Sequence, residues 1–209
     1  MRSTLFAAVL AAFPFVVSLP AQRAAAGLDA DRKVSTFVVY EDGQPPLAAV
    51  AIAYTPAAWR AGYDEVVAQM SAANYTRLGK GWWATLEVAG AITIGGTRVA
   101  AGTYYLGLQV DQAGVLHLLL FESKRMLQQR VMSAATPLYR GDVKADLVAP
   151  LVLVKDARKE SAANLVIEVV AGEKEPAKGT FVIRWGTHEA TAALTFDLGV
   201  GKEGAGGKK

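Results

Sequence analysis

Two histidines, His117 and His188, stand 71 residues apart, and the chain has no cysteine. A zinc site needs three or four protein ligands at workable spacing, so carboxylates would have to complete any such set here. Without thiols there is no disulfide, no thiolate ligand, no cysteine nucleophile and no lipid-modified N-terminal cysteine. Ser133 or Ser161 could serve a Ser-His-Asp arrangement, but no Gly-x-Ser-x-Gly elbow holds either on a strained turn. Glycoside hydrolysis asks for two converging acids, whereas Asp64-Glu65 and Glu173/Glu175 read as solvated faces or turns. His117 alternates away from Leu116, Leu118 and Leu120 and reads as a hydrogen-bonded residue beside the core. His188 follows Trp185-Gly186-Thr187 and reads as a turn residue. No catalytic residue, metal ligand or cofactor is therefore assigned, and an enzyme is the less favoured reading.

The aromatic side chains offer a different chemistry. Trp59, Trp82, Trp83 and Trp185, with Tyr104 and Tyr105, could form a stacking platform for sugar rings or aromatic ligands. On a strand, each adjacent pair places one ring on each face. One of Trp82/Trp83 and one of Tyr104/Tyr105 should thus be core, and the other a surface candidate. The competing reading is plain core and sheet-surface packing. Three pattern matches carry nothing. Gly199 to Gly204 spells G-x-G-x-x-G with no helix after it; Arg140-Gly141-Asp142 arises readily by chance; Asn74-Tyr75-Thr76 is a sequon that matters only in a eukaryotic secretory pathway.

The wider composition narrows the class. The chain has 209 residues, 52% hydrophobic, enough for one domain with a sizeable core and no staples. Its 22 basic and 19 acidic residues suggest an anionic partner until they are mapped. Residues 27–198 hold 17 basic against 18 acidic residues, so the excess positive charge sits at the two ends. A phosphate-binding surface needs clustered Lys and Arg, and nucleic acid is not expected as a partner. Arg2, the apolar run Leu5–Val17 and Ala24-Ala25-Ala26 match a secretory signal over 1–26, with Ala21 as a second cleavage point. That run is too short to span a bilayer. The remaining chain should form one domain over 27–198, outside the cytoplasm and without a membrane span, followed by a disordered Gly/Lys-rich tail over 199–209.

Period-two burial dominates the elements that must position these residues. Val34–Tyr40 and Ala48–Tyr54 read as strands, and Thr55-Pro56 reads as a helix start. Trp59, Tyr63, Val66, Val67 and Met70 fit one face of a helix over about 56–72. From Gly81 the period returns to two. Ile92–Val99 is a hairpin about Gly95-Gly96, and 103–110 and 115–122 continue a meander. Ser123–Met132 reads as a short helix or an edge strand, and Thr136–Asp146 as loop. Strands follow at 150–154, 165–170, 180–185 and 190–196. About nine strands with closely spaced turns imply an all-β antiparallel β-sandwich or partly closed barrel with one short helix.

One family resemblance follows from Arg77-Leu78-Gly79-Lys80, the Trp pair, Ile94-Gly95-Gly96, Ala101-Gly102-Thr103-Tyr104-Tyr105 and Ile183-Arg184-Trp185-Gly186-Thr187. In this order they resemble the exported bacterial proteins called domain of unknown function 2911, over about residues 48–197. Where relatives carry a Gly-Ala-Asn-Glu-like stretch, this chain has Gly81-Trp82-Trp83. The resemblance implies an all-β domain outside the cytoplasm and no particular reaction. The expected function is non-catalytic binding of a ligand or surface, such as a carbohydrate or envelope component. The alternatives are a hydrolase acting on envelope polymers or sugars, and a module pairing through a sheet edge. On expression in a secreting host, the protein should begin at Gly27, or at Gln22 for the earlier cleavage, by intact mass spectrometry. An intact N-terminus on cytosolic protein would end the export reading.

Overall fold

The structure of the chain, a computed structural model, describes residues 31–40, 45–60, 62–63, 65, 69, 74–129, 138–140, 143–155, 157, 159–172 and 175–198. The expected signal at 1–26, the expected tail at 199–209 and Ser133 lie outside the described residues. Thirteen strands follow in order: β1 (Lys33–Tyr40), β2 (Pro46–Tyr54), β3 (Asn74–Arg77), β4 (Thr85–Ala89), β5 (Ala91–Ile94), β6 (Thr97–Val99), β7 (Gly102–Val110), β8 (Leu116–Glu122), β9 (Leu138–Arg140), β10 (Leu147–Val154), β11 (Ala162–Ala171), β12 (Lys178–Gly186) and β13 (His188–Asp197). A short helix, Ser123–Gln129, leaves the end of β8 directly.

Nine strands run in the order β1-β2-β4-β7-β8-β10-β13-β12-β11, with every described pairing antiparallel. The sheet forks twice. One edge of β7 is shared between β4 and β3, and one edge of β13 between β10 and β5. The result is a nearly closed barrel, as the alternation predicts. β1 and β11, at the two ends of the order, lie against one another without a ladder and leave one unsealed seam. Across the barrel core, Phe37 of β1 stacks on Phe196 of β13 with ring centroids 5.3 Å apart.

Two-residue periodicity explains what fills the barrel. Val50, Ile52 and Tyr54 of β2, Leu106 and Leu108 of β7, Leu116, Leu118 and Leu120 of β8, and Leu194 and Phe196 of β13 all point into one core. Each fully buried Leu, Ile or Phe contributes about 1.5–3 kcal/mol. A second, smaller core forms on the outer face of β7 and β8. There Tyr105, Leu119 and Phe121 are covered by Tyr75 of β3, by Trp83 and by Met126 of the helix.

Three expectations need correction. Tyr104 and Tyr105 do not divide into a core ring and a surface ring: both are buried, one in each core. Thr55-Pro56 does not start a helix. Ala57 and Trp59 instead pair with the start of β11, through Leu165 N to Ala57 O and Trp59 N to Ala163 O, both at 2.8 Å. Lys80 N takes the Thr55 carbonyl at 2.9 Å. Proline fixes a φ that extended chain also accepts, so these long-range bonds override the local signal. Tyr63, Glu65 and Gln69 are helical, and Tyr63 still meets Trp59 at 5.8 Å; most of the expected apolar face lies outside the described residues. Finally, 138–140 is no loop but β9, paired with β3.

The turn joining β12 to β13 rests on one glycine. Gly186 has φ +54°, and a Cβ there would lie 2.7 Å from Cε2 of Trp59. Gly186→Val should therefore lower stability by about 2–4 kcal/mol, the sum of left-handed backbone strain and overpacking. Urea unfolding followed by tryptophan fluorescence measures it.

Candidate functional site

Among the described residues, one end of the barrel holds a cleft lined in part by charged and polar groups. β6 ends there, β7 begins, β8 ends and β10 begins. Arg98, Ala100, Tyr104, Glu122, Asp146 and Leu147 line a cleft of about 230 Å³. Each lining group is set by its element. Arg98 projects from the hairpin whose turn, Gly95-Gly96, has φ +56° and +83°. Tyr104 pairs across β4 with Leu86 and across β8 with Glu122, which holds its ring between strands.

Asp146 is the structural wall. Its carboxylate accepts from Arg125 Nε at 2.9 Å and Nη2 at 2.8 Å, and from the Glu122 backbone N–H at 2.7 Å. Arg125 also donates to the Lys144 carbonyl at 2.7 Å. A bidentate guanidinium–carboxylate pair is directional as well as strong. It ties the helix to the segment before β10 and clamps Met126 over the second core. Burial works to raise the Asp146 carboxyl, but the Arg125 and Glu122 hydrogen bonds outweigh it and hold the group below its ordinary value.

The remaining groups are less committed. The Tyr104 hydroxyl donates to the Ala100 carbonyl at 3.1 Å. Burial, then the charges of Glu122 and Asp146, push its pKa up, so the phenol stays protonated. The Glu122 carboxylate is exposed and has no side-chain partner among the described residues. Arg98 meets Asp197 at 3.2 Å, with side chains 72% and 53% exposed, a weak pairing.

The residues singled out by type lie elsewhere. His117 sits five residues back along β8 from Glu122, about 17 Å at strand rise. It meets Asp111 Oδ2 at 2.9 Å, and Asp111 Oδ1 accepts the N–H groups of Ala113 and Val115. First the His117 bond, then Val115, depress the Asp111 carboxyl. The pair locks the β7–β8 turn. The cross-strand neighbours of His117 are Gln109 and Pro150, neither of them a nucleophile. His188, at the same far end, packs against Trp59 at 6.2 Å and Trp185 at 5.8 Å.

The six aromatics thus divide among four places. Trp59 and Trp185 meet about His188, Trp59 half-buried and Trp185 buried. Trp83 and Tyr105 meet in the second core at 5.9 Å. Tyr104 backs the cleft. Trp82, on the loop before β4, is 44% exposed and is the member of the set with an open ring. Type and spacing singled out Tyr104 for a different chemistry; Arg98, Glu122 and Asp146 gave no signal, because strand pairing alone brings them together. No family model, curated protein or solved structure matches the chain.

Because Asp146 is held below its ordinary value, its contribution is present above the unfolded-state pKa of about 3.9. That contribution is lost as pH falls through the lower folded value. Arg125→Met should cost about 1–2 kcal/mol at neutral pH. It should also flatten the fall in urea midpoint between about pH 5 and pH 2. An unchanged acid slope would contradict the assigned role of the pair.

Proposed function

We propose that this chain is an exported, non-catalytic binding module that takes a small polar ligand into the cleft between β6, β7, β8 and β10. The observation behind this reading is the contrast within that cleft. One carboxylate, Asp146, is saturated by Arg125 and the Glu122 N–H. Glu122 and most of Arg98 remain unspent beside it. Such walls are pre-organised, and binding then costs little ordering. The export part rests on the N-terminal signal and on the resemblance to an exported family.

Hydrolysis draws less support from the same groups. A phenol held protonated is a poor base at neutral pH, and the Asp146 carboxylate is already engaged by Arg125 and the Glu122 N–H. Carbohydrate stacking would rest on Trp82 alone, away from the cleft. A second reading, pairing through a sheet edge, has its own support. Residues 57–59 already add to the start of the β11 edge, while no ladder joins the rest of that edge to β1. It predicts concentration-dependent oligomers, and a monomer at high concentration by light scattering would remove it.

The cleft reading is tested by filling the site. Ala100→Trp should abolish ligand-induced shifts in thermal unfolding while leaving the unliganded transition within about 1 kcal/mol of wild type, since Ala100 is exposed. Ligand responses that survive the substitution would move the site elsewhere.

A further inference from the structure

We infer that the ligand of this cleft is a small zwitterion, a free amino acid or the end of a short peptide, its ammonium on Glu122 and its carboxylate on Arg98. This rests on the reading of the cleft as the binding site. Three features of the lining carry it.

The first is charge. Four ionisable groups stand at or behind the wall, and Arg125 and Asp146 neutralise each other in a bidentate pair. The cavity wall itself carries two anions, Asp146 and Glu122, and one cation, Arg98; with Asp146 matched by Arg125 behind it, Glu122 and Arg98 are the charges left for a ligand. A simple amine would leave Arg98 with only its exposed contact to Asp197, and a simple acid would leave Glu122 unmatched. Arg98 is already near Asp197, but through one N–H at 3.2 Å between exposed side chains. A ligand carboxylate offering two parallel bonds to the guanidinium fork competes well with such a contact.

The second is the direction of the buried hydroxyl. Tyr104 is only 7% exposed, and its proton is committed to the Ala100 carbonyl. Its oxygen can offer the cleft only lone pairs. An ammonium group has three N–H donors and can use both Glu122 and that oxygen. A carboxylate at the same place would meet two acceptors and no donor.

The third is size and lining. A cavity of about 230 Å³ lies below the range of drug-sized pockets, which begins near 300 Å³. Ala100 and Leu147 supply its apolar surface, which suits a short aliphatic side chain. No exposed aromatic ring faces the cleft among the lining residues, so a sugar finds no stacking surface there.

The test is isothermal titration of the mature protein with five probes: L-leucine, L-alanyl-L-alanine, isobutylamine, isobutyrate and glucose. Leucine or the dipeptide should bind at least about tenfold tighter than the amine or the acid. Glu122→Gln and Arg98→Met should each remove that preference while their thermal unfolding stays near wild type. Glucose, amine or acid binding as tightly as the zwitterions, and blocked by Ala100→Trp, would overturn the ligand class and leave the cleft reading standing. Binding of any probe that Ala100→Trp does not touch, or no binding by all five, would remove the zwitterion. Of these, only the first also removes the cleft.

Discussion

Strands β7 and β8 carry large apolar side chains on both faces, and much of the architecture follows from having to cover both. Leu106, Leu108, Leu116, Leu118 and Leu120 face inward, where the curled sheet supplies their cover. Tyr105, Leu119 and Phe121 face outward, where an open barrel would leave them wet. Two remote pieces of chain close that outer face: β3 with its Tyr75, and the helix Ser123–Gln129 with its Met126. The helix is too short to be stable alone. It holds because Arg125 fastens it to Asp146, and that same pair forms the back of the cleft. The packing demand of the middle strands thus sets the rim of the proposed binding site.

Alternation made most of this architecture legible. Leucines two apart in β8, the Gly-Gly hairpin and the Asp-x-x-Gly turn each point to one local solution, and the structure adopts it. The failures have a common cause. Tyr105 could not be read as buried, because its cover comes from Tyr75 and Met126, thirty and twenty-one residues away in sequence. Thr55-Pro56 carries a sound helix-start signal that loses to the hydrogen bonds Trp59 gives to the Ala163 carbonyl and Ala57 accepts from Leu165, more than a hundred residues downstream. β3 and β9, four and three residues long, are too short to show a period. The cleft left still less trace. Its lining runs from Arg98 to Leu147 with no motif spacing, and only pairing across β6, β7, β8 and β10 assembles it.

Several polar residues elsewhere in the barrel are consumed by structure. On the outer face of β11–β13, Arg184 bridges Glu168 and Glu189, and these two bonds outweigh the cost of burial and raise its pKa further. His117 and Asp111 close a hairpin, and His188 fills a corner between two indoles. Glu122 differs from these in lying in the cleft with no side-chain partner among the described residues.

The unsealed seam bears on how the chain comes together. Phe37 and Phe196, which stack across the barrel, are 159 residues apart in sequence. A chain emerging N-terminus first presents β1 long before the strand that it must eventually face. Such distant contacts make folding slow. In the interval the outer side of β1, with Val34, Val38 and Tyr40 bare, is a sticky ribbon in search of a neighbour. The barrel cannot close until the C-terminal strands have been made, and until then the free edge of β1 stands open to other copies of the chain.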